Sequence, residues 1–572
     1  MKKYLLWVGL LSALVTLSCT TGGYRESAPT PPSDISAALE SIDGAEMLRH
    51  IQVLASDEFE GRAPGTRGET LTVDYLIKQF EGLHLTPGNP DNTYVQRVPL
   101  VGYTSHPTAS FRVGDKNIHL KFPDDLVAWS LHGEQELKIE NSELVFVGYG
   151  VIAPEYAWND YKGVDLRGKT LVMLINDPQI PDPNDPSKLD EQMFKGKAMT
   201  YYGRWTYKFE MAAKLGATAA IIVHETIPAA YPYSVVVNSW ARENFAIQST
   251  RPSPDYPALV SWLHLDRAKE LFTATGYDFE TMKKAALSKD FKPVPMNATV
   301  SFALKNTGRI VDSHNVLAKI EGSHPRLKDE YVIYTAHWDH FGWDPKLPGT
   351  KHDQIYHGAL DNASGVAALL ALAKAFKALP QPPQRSILFI ATTAEEQQLL
   401  GAKFYATHPL YPLRRTLADI NMDGMNLWGR TLDVEIVGFG KSTIDDLLAE
   451  GAAVQSRIVR PESRPELGGF YRADHLEFAK AGVPVMYMRR GNKFVGKPDD
   501  YGRRMADAYI ANDYHKVTDT VRPEWDFSGA VEDTQLLFRL GHGIAQRDRY
   551  PEWNLESEFK AARDKMMTQG QN

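Results

Sequence analysis

Two rhythms of hydrophobic and polar positions alternate along this chain. From about residue 313 onward, short apolar runs rich in β-branched and aromatic residues read as buried strands at 315–320, 331–336, 386–392, 417–422, 434–438 and 483–488. Between them lie segments of helical period. In 365–379, Val366, Leu369, Leu370, Ala373 and Phe376 share one face, and 443–454 has the same character. Strands alternating with helices predict an α/β domain whose mostly parallel or mixed sheet is covered on both faces, in three layers. Upstream, 35–54 and 70–83 are helical in pattern and flank a loop, 56–68, rich in glycine and charge. From about 107 to 300 the texture changes to short strands (144–147, 170–175, 219–223, 258–260) among turns, prolines and aromatics. That stretch predicts a separate β-rich module with a binding or covering role. Its His224-Glu225 pair is expected in a surface turn, and the charged segment after about 550 is expected to be a tail.

Composition narrows the picture. A chain of 572 residues exceeds a single core, so two or more domains are expected. The formal net charge of −8 and the absence of a basic block argue against a nucleic-acid partner. The single cysteine, Cys19, leaves no intrachain disulfide and no thiolate metal site, so any metal must be held by imidazoles and carboxylates. Residues 1–3 are a short basic start and 4–17 an apolar run, shorter than the roughly 20 residues of a spanning helix. The run ends Val15-Thr16-Leu17-Ser18-Cys19, which resembles a bacterial lipobox with Cys19 as the lipidated residue. A Pro/Gly/Ser/Thr-rich tether at 20–35 suits a domain held near a membrane. Thr20, rather than Asp, after Cys19 points to the outer membrane, facing the periplasm.

The chemistry sits at the ends of the predicted strands. His337 and Asp339 end 331–336, Glu395 and Glu396 follow 386–392, and Asp423 follows 417–422. Asp361 opens the helix at 365–379, with Asn362, Ser364 and Gly365 beside it. Strand ends of a parallel sheet converge on one rim, so these groups can meet in one crevice. Carboxylates gathered there without a basic residue repel unless a cation lies among them, and a divalent pair is the economical solution.

The segments AHWDHFG (336–342), GALDNASGVAALL (358–370), TTAEEQQLLGAKFY (392–405), NMDGM (421–425), YRADHLEFAKAGVP (471–484) and DYHKVTDT (513–520), in this order, resemble the M28 family of zinc aminopeptidases. The opening LASDEFEGRAPGTRGE (54–69) resembles the segment preceding such domains, which places that loop near the site. Asp165-Leu166-Arg167-Gly168-Lys169 with 171–175, and KFEMAAKLGATAAIIV (208–223), resemble a protease-associated (PA) domain. The resemblance implies a peptidase domain over 36–105 and 303–548, a PA-like insertion over 106–302 and a tail from 549. It further implies two Zn2+ ions, other divalent metals being possible. Asp361 would bridge them, His337 and Asp423 would complete one, and Glu396 and His515 the other. Glu395 would be the general base and Asp339 would accept the second ring N–H of His337. Tyr471 is the candidate hydrogen-bond partner of the substrate carbonyl, whereas Asp474 and His475 take supporting roles. His340, His352 and His357 are expected at the solvated rim. The implied activity is an exopeptidase acting on peptides, an aminopeptidase in the first instance. A dipeptidase, carboxypeptidase or glutaminyl cyclase on the same scaffold is the alternative, decided by the loops 343–356 and 491–509; a receptor-like homologue without metals is a third. Oligomeric state is not legible.

Overall fold

The computed structural model describes residues 34–249 and 255–568. The basic and apolar leader with Cys19, and the tether up to residue 33, lie outside the described residues.

The peptidase-like half is built on seven neighbouring strands. Their order is Ile458–Pro461, Asp433–Ile436, Val485–Arg490, Thr416–Asn421, Tyr331–His337, Ser386–Thr392 and Val294–Ile320. The four from Val485–Arg490 to Ser386–Thr392 are mutually parallel. Asp433–Ile436 and Val294–Ile320 join them antiparallel, which makes the sheet mixed. Strand alternation sorts the core. Val332, Tyr334 and Ala336 face the layer of helices Gly44–Leu54, Ser364–Lys377 and Ser528–Gln546, and Tyr331 and Ile333 face the opposite layer with Phe478 of His475–Lys480. Helix Ser364–Lys377 is buried on nearly every face, which explains why its apolar stripe is so wide.

Two long strands carry the chain into the inserted region. Val95–Val113 and Val294–Ile320 pair antiparallel from Val95–Val316 to Arg112–Thr299. The far part of Val294–Ile320 pairs with Glu136–Phe146. Beyond it lie Thr170–Leu174, Ala219–Val223 and Leu259–Leu263, each parallel to the next, and Leu126–Trp129 antiparallel at the edge. The boundaries expected at 105/106 and 302/303 thus fall inside continuous strands. Each half nevertheless has its own hydrophobic cluster.

Three expectations are corrected. The helix expected over 35–54 is two, Ser36–Glu40 and Gly44–Leu54, because Asp43 turns extended and its carboxylate caps the second by accepting the Ala45 N–H at 2.8 Å. The segment after 549 is not a loose tail. Trp553 and Phe559 are buried, Trp553 Nε1 donates to the Gly482 carbonyl at 3.0 Å, and helix Lys560–Thr568 follows. His224 is not in a surface turn either. It is buried with its Nε2 at 3.1 Å from the Tyr231 carbonyl, and burial pushes its pKa down to about 4. Glu225 beside it pairs with Lys283 at 2.5 Å.

Candidate metal centre

The rim formed by the carboxyl ends of the parallel strands is shaped by one arginine beneath it. Arg62, from the segment Asp57–Arg62, is wholly buried. Its guanidinium donates to the carbonyls of Leu54 (2.6 Å), Trp338 (2.8 Å), His357 (2.7 Å) and Gly358 (2.9 Å). It therefore ties together the turn that leaves strand Tyr331–His337 and the turn that leads to Asp361. Burial lowers its pKa to about 10, against the attraction of Asp339, Asp519, Asp361 and Glu396. The glycine-rich loop lies behind the site as well as beside it.

Asp361 does not open the helix. The helix begins at Ser364, and Asp361 and Asn362 have non-helical backbone with a cis peptide between them. This turn is held by Asp519, whose carboxylate accepts the N–H groups of Leu360 and Asp361, both at 3.0 Å. Asn362 ties it to the neighbouring strand end by donating to the Met422 carbonyl at 2.9 Å. The result is a carboxylate that faces two ways. Asp361 Oδ1 lies 3.3 Å from His337 Nε2, and Oδ2 lies 3.4 Å from His515 Nε2.

Around these two imidazoles the other acids divide. His337 Nε2 is 3.4 Å from Asp423 and 3.9 Å from Glu395. His515 Nε2 is 3.1 Å from Glu396. Glu395 and Glu396 occupy a turn after Ser386–Thr392 that Ala394 enters at φ 52°. Asp339 organises that turn: its carboxylate accepts the Glu395 N–H at 3.0 Å and the Glu396 N–H at 3.4 Å. The same carboxylate stands 3.7 Å from His337 Nδ1, whose nearer partner is the Asp339 backbone carbonyl at 3.2 Å. The expected ring contact of Asp339 is thus secondary to its hold on the glutamates.

The electrostatics fit a cation site. Burial opposes charge on His337, but Glu395, Asp339, Asp361 and Asp423 hold its pKa well above the ordinary range. Burial likewise raises Asp361, yet His337 and His515 hold it well below. Glu395 and Glu396 are pushed up by burial first and by neighbouring carboxylates second. His337 Nε2 is buried without a hydrogen-bond partner, among carboxylate oxygens. His337 with Asp361 and Glu396, and His337 with Glu395 and Asp423, offer ligand atoms within 4.8 Å of one another. This donor set fits one or more divalent ions of the zinc type.

His340 corrects another expectation. It is buried rather than at the rim, with Nδ1 at 2.5 Å from Glu396 Oε1. His357 is buried too, whereas His352 is exposed. The Tyr471 hydroxyl donates to Glu558 at 3.0 Å, so the segment expected as a tail occupies it. Asp474 is buried, accepts the Thr392 hydroxyl and is pushed up to about 7 by burial; His475 is buried between the rings of Phe470 and Tyr487.

Two contacts come from the inserted region, where no functional residue was expected. Ser239 Oγ lies 3.1 Å from His515 Nδ1, and Asn238 Nδ2 donates to the His515 carbonyl at 3.2 Å. Both residues are in helix Tyr233–Trp240. Tyr514 stacks on the other side, with ring centroids 3.8 Å apart. Nothing in the local sequence marks Ser239. Asp519 lies four residues after His515 in DYHKVTDT, so its place in that segment is the signal that points to it. A cavity of about 1120 Å³ opens over Asp361, Glu395, Glu396, Asp423 and His515 and is walled on its far side by Trp205, Trp240 and Tyr256 of the inserted region.

Residues 315–538 match the model of peptidase family M28, and the chain carries a domain of that family. A vacuolar membrane protease of Coccidioides posadasii (strain C735) is 30% identical over 149 residues, which cover 24% of this chain and 14% of that protein. Aminopeptidase NAALADL1 of Mus musculus is 32% identical over 145 residues, covering 24% of this chain and 17% of that protein. The chain thus matches only a small part of the length of these curated relatives. The solved structure of an aminopeptidase from Aneurinibacillus sp. strain AM-1 shares the fold, with a TM-score of 0.51, 18% identity and coverage of 90% of this chain and 97% of that one.

Proposed function

We propose that the M28 domain is a two-metal exopeptidase that removes N-terminal residues from peptides, with zinc as the metal. The observation that carries this reading is the division of the site by Asp361, one oxygen towards His337 and the other towards His515. His337 and Asp423 would hold one ion and Glu396 and His515 the other, with Asp361 shared. Metal ions at such sites activate water and polarise a scissile carbonyl. Glu395 is the remaining carboxylate of the cluster. It lies beside His337 and its backbone is fixed by Asp339, so its side chain is placed to take the proton of the attacking water and return it to the leaving amine. The inserted region, PA-like by its sequence, closes the cavity and limits access to chain ends. The test is turnover of aminoacyl amides by the full chain before and after chelation, with zinc content measured alongside. Retention of full turnover after complete metal removal would overturn the proposal.

A second reading, a dipeptidase or carboxypeptidase, is favoured by one observation. Arg204 and Arg472 both line the cavity, and among the described residues neither lies within ion-pair distance of an acid. Burial lowers Arg204 to about 10 and Arg472 adds to that shift, while Tyr231, Tyr514 and Tyr201 pull the other way. Two unneutralised guanidiniums beside the cluster suit a substrate carboxylate. Peptides blocked at the N-terminus and peptides amidated at the C-terminus separate the readings. Cleavage of acetylated peptides as fast as free ones removes the aminopeptidase assignment, and indifference to C-terminal amidation removes the second. We also place the mature chain in the bacterial cell envelope, anchored through Cys19. Metabolic labelling with a lipid precursor, lost in Cys19→Ala, tests that placement.

A further inference from the structure

We infer that Asp57, His352 and His357 form a further divalent-cation site of the zinc type, separate from the strand-end cluster. The three come from two distant parts of the chain. Asp57 begins the segment that ends in Arg62, and the histidines flank the short turn that precedes Gly358. His352 Nδ1 lies 2.7 Å and His357 Nε2 2.9 Å from the same oxygen, Asp57 Oδ1. The rings are 4.6 Å apart between centroids, tilted by 44°, and the three ligand atoms fall within 4.8 Å of one another. Two imidazoles and a carboxylate, with room for solvent on the exposed side, are the donor set of a three-ligand zinc site. Sharing one oxygen without a cation requires both rings to spend a proton there. With a cation, the oxygen and the two ring nitrogens would all serve as its ligands.

The surroundings favour the cation. His357 is 1% exposed, so its ring is fixed by packing rather than by Asp57 alone, and its Nδ1 faces the Val517 backbone, short of a full hydrogen bond. A ring fixed by packing presents its Nε2 to a metal in a constant direction. Among the described residues, Asp57 has no Lys or Arg within ion-pair distance; its partners are the two imidazoles. The nearest lysine in sequence, Lys351, is occupied by Glu60 at 2.7 Å. An ion here would pin the loop 343–357 to the segment 57–62. Arg62 of that segment holds the His357 and Gly358 carbonyls just ahead of Asp361, so the ion would stiffen the support of the neighbouring centre without touching it.

The experiment compares zinc bound per full-length chain, after equilibration with Zn2+ and desalting, in wild type and in His352→Ala and Asp57→Asn, both at exposed positions. Each variant is expected to bind one equivalent fewer than wild type and to lose part of the zinc-dependent rise in Tm. The comparison is repeated in an Asp361→Ala background, which reads this site alone. One equivalent that disappears when His352→Ala is added supports it whether or not the strand-end cluster is catalytic. Equal zinc content with and without His352 and Asp57 would overturn it.

Discussion

In the inserted region, Asp160 and Asp177 are buried around Lys208; at the strand ends, Asp361, Glu395, Glu396 and Asp423 crowd around His337 and His515. The first group is closed by the protein itself. Burial raises both aspartates to about 6 and lowers Lys208 to about 7, while the opposite charges pull each back. Asp160 accepts from Val151 N–H and Trp158 Nε1, and Lys208 donates to the Asn176 carbonyl at 2.8 Å, so the cluster is also saturated with hydrogen bonds. The second group has acids in excess, no lysine within ion-pair distance among the described residues, and a buried, unpartnered imidazole nitrogen at its centre. The same desolvation physics thus has two outcomes. Acids matched by an internal cation make a structural core, and acids left over make a place for an external one.

Substitutions in the two clusters should separate them. Asp361→Ala is expected to have the largest effect, abolishing peptidase turnover and the metal held at the strand ends; zinc analysis after dialysis, in chains that also carry His352→Ala, checks it, and unchanged metal content with lost turnover would make Asp361 something other than a shared ligand. Glu395→Gln should retain metal and lose roughly 10²–10⁴-fold in turnover, the range of general-base catalysis. Near-full activity in that variant would remove the base assignment. Lys208→Met should act the other way round, costing about 3–5 kcal/mol of stability by leaving two buried acids unmatched. Its Tm should fall, and the folded fraction should bind metal like wild type. Ser239→Ala should be mildest, with about 10–100-fold weaker metal binding or turnover, the usual effect of removing a group that orients a ligand. An unchanged metal affinity would detach the inserted region from the centre.

Much of the strand-end architecture is legible without coordinates because it depends on short-range rules. Tyr331–His337 and Ser386–Thr392 are runs that only a buried strand accommodates, and polar residues follow each directly. Asp361, Glu395 and Asp423 can therefore be assigned to one rim. Their local backbone is less legible. The turn at Ala394 and the delayed start of helix Ser364–Lys377 break the simple picture of strand alternation and helix opening, because Asp339 and Asp519 hold backbone N–H groups that a regular element would satisfy itself. His340, expected at the solvated rim, is buried for a similar reason: its partner Glu396 is 56 positions away.

The sequence by itself determined which side chains stand at the strand ends and that, with Cys19 as the single cysteine, any metal there is held by imidazoles and carboxylates. Periodicity and residue type suffice for that, since both act over a few residues. Tertiary structure decided how the ligands are aimed. Arg62 reaches carbonyls 276 to 296 positions away, and Ser239 meets His515 across 276. Such contacts depend on how whole layers pack, and no local pattern encodes the distance between two layers.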